Sequence, residues 1–219
     1  MVEIKICGVR DEVTASVAIE SGATYVGVVV GAPDSPRHVD ASTAASLVRF
    51  LRGKVFSVLV TRELTREFIA LARTANPGLV QFHEPVPSPL VGELRNAFPG
   101  RIIFGVSPRA DLASLASLGR TFTKHDIILI DGSLGKGTTI DEHALITIAD
   151  HVKESIGLSL KDMIVAGGLS AENVGSFLQR HVPRGVDASS GLESAPGVKD
   201  PALIRKFCQE VKKSRIGHY

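Results

Sequence analysis

The chain has 219 residues, 44% hydrophobic and 22% charged, with 25 lysines and arginines against 23 aspartates and glutamates for a formal charge of +2. That balance, with no basic run beyond Lys212-Lys213, excludes the concentrated positive surface that nucleic acid requires, and no eighteen-residue apolar stretch or basic-then-apolar leader argues for a membrane or for export. Two cysteines, Cys7 and Cys208, are too few for a disulfide framework and no Cys/His spacing suits zinc, so the expectation is a cytoplasmic globular protein without a metal.

The elements begin with Glu3-Ile4-Lys5-Ile6-Cys7, a strand whose alternation puts Lys5 and Cys7 on one face and Ile4 and Ile6 on the other. A helix over Glu12 to Ser21 and a strand over Tyr25 to Val30 lead to Ser35-Pro36-Arg37-His38. Asp40 is placed to cap a helix over Ala41 to Arg52. There follow a strand over Val55 to Val60, a helix over Thr65 to Thr74, and a strand over Leu79 to Phe82 that runs into His83-Glu84. The next pairs are a helix from Pro89 to Ala97 with a strand from Ile102 to Gly105, and a helix from Leu112 to Ser117 with a strand from Ile127 to Asp131. The glycine-bearing loop after Asp131 precedes a helix over Glu142 to Ile156, for which Asp141 is the N-cap rather than a catalyst. A strand over Met163 to Ala166 opens into Gly167-Gly168-Leu169-Ser170, and a helix over Ala171 to Gln179 follows. The last strand, Gly185 to Ala188, runs into Ser189-Ser190-Gly191-Leu192-Glu193 before a helix over Pro201 to Lys213.

Eight strands alternate with eight helices, and the strands carry few alternating polar residues, which suits a parallel sheet covered by helices. The fold class is α/β: one (β/α)₈ TIM barrel domain over residues 1–219, with a doubly wound open sheet as the alternative. In either architecture the ligand sits where strands end and the following loops begin. The glycines in the loops after the sixth, seventh and eighth strands let backbone N–H groups approach an anion, and together these loops look like a phosphate cradle. Across the same mouth stand a thiol, Cys7, and a carboxyl, Asp131, as an acid and a base acting on two ends of one substrate require.

The segments "KICG", "SPR", "VQFH", "GKGTTID", "AGGLSAENV" and "GVDASSGLESAPGVKD", in this order from Lys5 to Asp200, together resemble the phosphoribosylanthranilate isomerase family of tryptophan biosynthesis. The resemblance implies an Amadori rearrangement of N-(5'-phosphoribosyl)anthranilate to 1-(2-carboxyphenylamino)-1-deoxyribulose 5-phosphate, without cofactor or metal. It implies Cys7 as general base, Asp131 as general acid, and Arg37 as partner of the anthranilate carboxylate; His83, which either approaches the ligand or fills the rim, and Gly137 are the further candidate substrate contacts. It also implies that the phosphate rests on Gly167, Gly168, Ser189, Ser190 and Gly191. The implied partner is a phosphorylated small molecule, and the implied assembly a monomer or homodimer. The chain departs from the family's pattern at Phe82-His83-Glu84, which ordinarily reads LHG, and at Leu134, which replaces the first glycine of a pair.

Lys5, two residues before Cys7 on the same face, is expected to favour the thiolate. A lysine inside a barrel needs a carboxylate to offset its desolvation, and Asp187 on the eighth strand is expected within about 6 Å of it, beneath Cys7. Two rival functions share this pattern of loops. A phosphosugar isomerase acting on a different amine resembles a doubled half-barrel with an aspartate ending its first strand, which Cys7 argues against. A binding barrel without catalysis has no use for both Cys7 and Asp131.

Overall fold

In a computed structural model, residues 2–83, 88–107, 110, 112–132 and 141–214 are described. The strands are β1 (Glu3–Cys7), β2 (Tyr25–Val29), β3 (Phe56–Val60), β4 (Leu79–His83), β5 (Arg101–Val106), β6 (Ile127–Asp131), β7 (Ile164–Ala166) and β8 (Gly185–Ala188). They are parallel and close in sequence order, β8 pairing back onto β1, into a barrel. This closure rules out the open sheet.

Eight helices connect and cover them: α1 (Glu12–Glu20), α2 (Ala41–Leu51), α3 (Arg66–Ala75), α4 (Ser88–Ala97), α5 (Leu112–Thr121), α6 (Glu142–Ile156), α7 (Val174–Arg180) and α8 (Pro201–Lys213). Side chains satisfy the otherwise orphaned first-turn N–H groups: Asp11, Asp40, Thr65 and Asp141 each accept from the third residue after them, and Asp200 accepts from Ala202 and Leu203 behind Pro201. Asp141 is thus a cap, as expected.

Two boundaries differ from the sequence reading by more than one residue. The fifth helix runs on to Thr121, and the seventh starts only at Val174 because Ala171 to Asn173 form a turn in which Asn173 Oδ1 accepts from the Ser170 N–H at 2.8 Å. After β8 the chain also makes an unexpected antiparallel hairpin, β9 (Glu193–Ala195) and β10 (Val198–Lys199). It turns at Pro196-Gly197.

Alternation along the strands separates two apolar regions. Ile4, Ile6, Val26, Val28, Val80, Phe82, Ile128 and Ile130 face outward into the helices, whereas Cys7, Tyr25, Val58, Leu79, Ile103, Ile127 and Ile164 fill the lumen. Following the register around the barrel stacks the lumen side chains in layers drawn from alternate strands. The floor is Tyr25, Leu79, Ile127 and Gly185. Above it lie Lys5, Val58, Ile103 and Ile164, then Gly27, Gln81, Leu129 and Asp187. Cys7, Val60, Gly105 and Ala166 come next, and Val29, His83, Asp131 and Ser189 form the rim. Polarity therefore rises toward the carboxyl ends of the strands, and the small residues near the rim leave room there.

Candidate active site

That room is a cavity of about 580 Å³ at the carboxyl ends of the strands, lined among others by Cys7, Arg37, Gln81, His83, Asp131 and Asp187. Gly167, Gly168, Ser189 and Ser190 line it from the loops after β7 and β8. Of the residues expected at the site, Gly191 does not line the cavity and Gly137 falls outside the described residues, as do Glu84 and the loop carrying Leu134.

The loops after β7 and β8, where an anion cradle was expected, approach each other closely. Gly167 and Gly168 take φ of 104° and 66°, a region open to glycine at little steric cost. A Cβ on Gly191 would collide with the Leu169 carbonyl, so a glycine there lets the β8 loop lie directly on the β7 loop. Asn173 holds the latter from below, donating through Nδ2 to the Gly168 carbonyl at 2.8 Å while its Oδ1 takes the Ser170 N–H. Ser189 Oγ donates to the Cys7 carbonyl at 3.1 Å, tying the β8 loop to β1.

The Lys5–Asp187 pair is present: Nζ lies 3.1 Å from Oδ2, with the lysine side chain fully buried and the aspartate nearly so. The pair is in register, since Lys5 opposes Asp187 directly in the β1–β8 ladder. Burial works against the ammonium, but Asp187, with Cys7 beside it, holds the Lys5 pKa above its ordinary value.

Lys5 draws the Cys7 pKa down, as expected, but burial outweighs it. Burial pushes the thiol above its ordinary range; Lys5 and Lys199 pull it down, Asp187 pushes it up, and the net direction is upward. The lysine's charge is largely answered by the carboxylate it touches. Cys7 in the free protein is therefore a thiol, not a standing thiolate. His83 is likewise held neutral, its pKa lowered first by burial.

Arg37 reaches the mouth because the segment after β2 doubles back: Val29 bridges His38, and the Val39 N–H donates to the Val29 carbonyl at 2.9 Å. Its guanidinium is not loose. Nε and Nη2 donate to the two oxygens of Glu193 at 2.7 and 2.8 Å. Glu193, Lys199 and Asn173 were not singled out from sequence as functional. A Pro-Gly pair between short polar-apolar stretches was the available signal for the hairpin that carries the first two.

Two buried acceptors, Gln81 Oε1 and Asp187 Oδ1, have no hydrogen-bond partner among the described residues, and both residues line the cavity. Unsatisfied buried acceptors are costly, so the site suits a ligand rich in donors such as sugar hydroxyls. No group of three or more metal-ligating side chains occurs among the described residues, and none of their helices is long and apolar enough to cross a membrane.

Residues 4–210 match the family model described as N-(5'phosphoribosyl)anthranilate (PRA) isomerase. The chain is 36% identical over 213 residues to the N-(5'-phosphoribosyl)anthranilate isomerase of Rhodopseudomonas palustris (strain BisA53), covering 96% of this chain and 95% of the relative. Its fold superposes on the TrpF structure from Jonesia denitrificans with a TM-score of 0.78 at 29% identity, covering 98% of each chain. A phosphoribosyl anthranilate isomerase structure in complex with reduced 1-(o-carboxyphenylamino)-1-deoxyribulose 5-phosphate superposes with a TM-score of 0.75 at 27% identity, covering 97% of this chain and 100% of that one.

Proposed function

Because the chain belongs to the N-(5'-phosphoribosyl)anthranilate isomerase family, we propose that the mouth of its barrel performs that family's Amadori rearrangement with Cys7 as general base and Asp131 as general acid. The activity is an aldose–ketose isomerisation in tryptophan biosynthesis. The observation that carries the residue roles is that Cys7 on β1 and Asp131 on β6 line one cavity from strands three steps apart around the barrel, with the glycine cradle of β7 and β8 between them.

The cradle takes the 5'-phosphate and thereby sets the sugar's position. Asp131 donates a proton to the ribofuranose ring oxygen as the C1'–O bond breaks, leaving an iminium between C1' and the anthranilate nitrogen. The iminium acidifies C2'–H, and the Cys7 thiolate, formed in the complex as the thiol's proton passes to solvent, removes that proton to give an enaminol; Asp131 regains its proton from solvent. Ketonisation gives up the C2' hydroxyl proton and gains one at C1', so the reaction consumes no net proton. Arg37 holds the aromatic carboxylate through parallel N–H···O bonds, which fixes the far end of the substrate. The high thiol pKa suits a base that loses its proton only in the complex, where the cationic iminium lies nearby.

The chain works as a single barrel domain over residues 1–219, as a monomer or homodimer in the cytoplasm, on a phosphorylated small molecule. Adding the protein to freshly formed phosphoribosylanthranilate should extinguish the anthranilate-type fluorescence at a rate proportional to enzyme. Folded protein that binds the substrate without converting it would return the chain to a binding role.

A further inference from the structure

The segment after β8 places a carboxylate where the chemistry does not call for one. The Glu193 side chain is 4% exposed and is not among the residues lining the cavity. Besides Arg37 it receives Lys199 Nζ at 2.5 Å and the Gly197 N–H at 3.1 Å, both from the β9–β10 hairpin of which it is part. Lys199, itself buried, also donates to the Ser189 carbonyl at 3.1 Å. The carboxylate is thus fixed by its own hairpin. Burial disfavours its charged form, but Arg37 and Lys199 outweigh that and hold its pKa below the usual range.

A guanidinium offers two forks to carboxylates, a side-on edge of Nε with one Nη and an end-on edge formed by both Nη atoms. Glu193 takes the side-on edge through Nε and Nη2. The end-on edge, Nη1 with the second Nη2 hydrogen, makes no hydrogen bond among the described residues, while Arg37 itself lines the cavity.

We propose that Glu193 is a positioning residue for substrate specificity: anchored by Lys199 and Gly197, it turns the Arg37 guanidinium so that its end-on fork faces the cavity and receives the carboxylate on the aromatic ring of the substrate. This rests on the isomerase reading above. Glu193 does not compete with the substrate for Arg37, because the two carboxylates use different edges of one planar cation. It also leaves Arg37, Lys199 and Glu193 with one net positive charge, enough to attract an anion without leaving two cations unanswered behind the site.

The test uses two ligands that differ only in the ring carboxylate: reduced 1-(2-carboxyphenylamino)-1-deoxyribulose 5-phosphate and reduced 1-phenylamino-1-deoxyribulose 5-phosphate. Their affinities are measured by calorimetry for the parent, Glu193→Gln, Arg37→Ala and the double variant. Glu193→Gln, nearly isosteric, should weaken the carboxylate ligand about tenfold and the phenylamino ligand less than about twofold, and the loss should vanish in the Arg37→Ala background. The phenylamino ligand reports whether the mouth is folded. Equal loss for both ligands, no loss for either, or a loss undiminished without Arg37 overturns the proposal alone. A parent protein that does not distinguish the two ligands overturns the anthranilate reading and the proposal with it.

Discussion

Lys5 Nζ sits 3.1 Å from Asp187 Oδ2 across the seam that closes the barrel, with no solvent reaching the ammonium. Removing one member leaves the other charge buried and unanswered, so Lys5→Met should destabilise the fold by about 3–5 kcal/mol, whereas Lys5→Met with Asp187→Leu should recover most of it. Denaturant unfolding of the three proteins checks this. The folded lysine pKa is raised, so its stabilisation is fully present below the unfolded value of about 10.4 and fades as pH rises through the folded value. Stability lost between pH 5 and 8 would have to come from other groups.

The Cys7 thiol, raised chiefly by burial, should react slowly with iodoacetamide at neutral pH. In a Cys208→Ala background the alkylation rate should keep climbing past the ordinary thiol pKa of about 8.5, without a plateau below it. Lys5→Met should slow it further, since Lys5 is the main charge drawing the pKa down. A plateau near pH 7 would mean a standing thiolate.

Cys7→Ser and Asp131→Asn should each lower kcat about 10²–10⁴-fold while leaving affinity for the reduced product near that of the parent. Fluorescence turnover and calorimetry separate the two quantities. Loss of binding in step with turnover would remove the residue from proton transfer.

Arg37→Lys keeps a cation but loses the planar fork. KM for phosphoribosylanthranilate should rise about 10–100-fold with kcat within about threefold, the signature of binding shared by ground and transition states. An unchanged KM would place the anthranilate carboxylate elsewhere.

Asn173 touches no ligand position itself but holds the Gly168 carbonyl and the Ser170 N–H. Asn173→Ala should raise the inhibition constant of inorganic phosphate several-fold, about the value of one or two hydrogen bonds near 1 kcal/mol each. Inhibition by phosphate equal to that of the parent would show that the β7 loop keeps its shape unaided.

The barrel was legible because its strands are short, β-branched and separated by helices whose Asp and Thr caps are local signals; β1, β6 and β8 were read to the residue. Helix α7 begins late because Asn173, within the stretch expected to be helical, instead folds back onto Gly168 and Ser170. The Lys5–Asp187 pair could be read because closure fixes which strands meet, and alternation fixes which faces do. Its effect on Cys7 could not, because whether burial or the lysine dominates depends on the whole three-dimensional surround. Glu193 escaped notice for a related reason: it acts on Arg37 from 156 residues away, and no periodicity carries that distance.

The seam joining Lys5 to Asp187 spans 182 residues of chain. Neighbouring strands from β1 to β8 can align through local crossovers as the polypeptide lengthens, but the ladder between the first and last strands must wait for nearly the whole sequence, and such distant pairings form slowly. Until then Lys5 keeps its hydration and the lumen stays open to water. Cys7, Asp131 and the glycine loops of β7 and β8 therefore come to line one chamber in one event, the closing of the cylinder late in folding. A nascent or truncated chain lacking the eighth strand carries the thiol and the carboxyl yet has no enclosed chamber in which to use them.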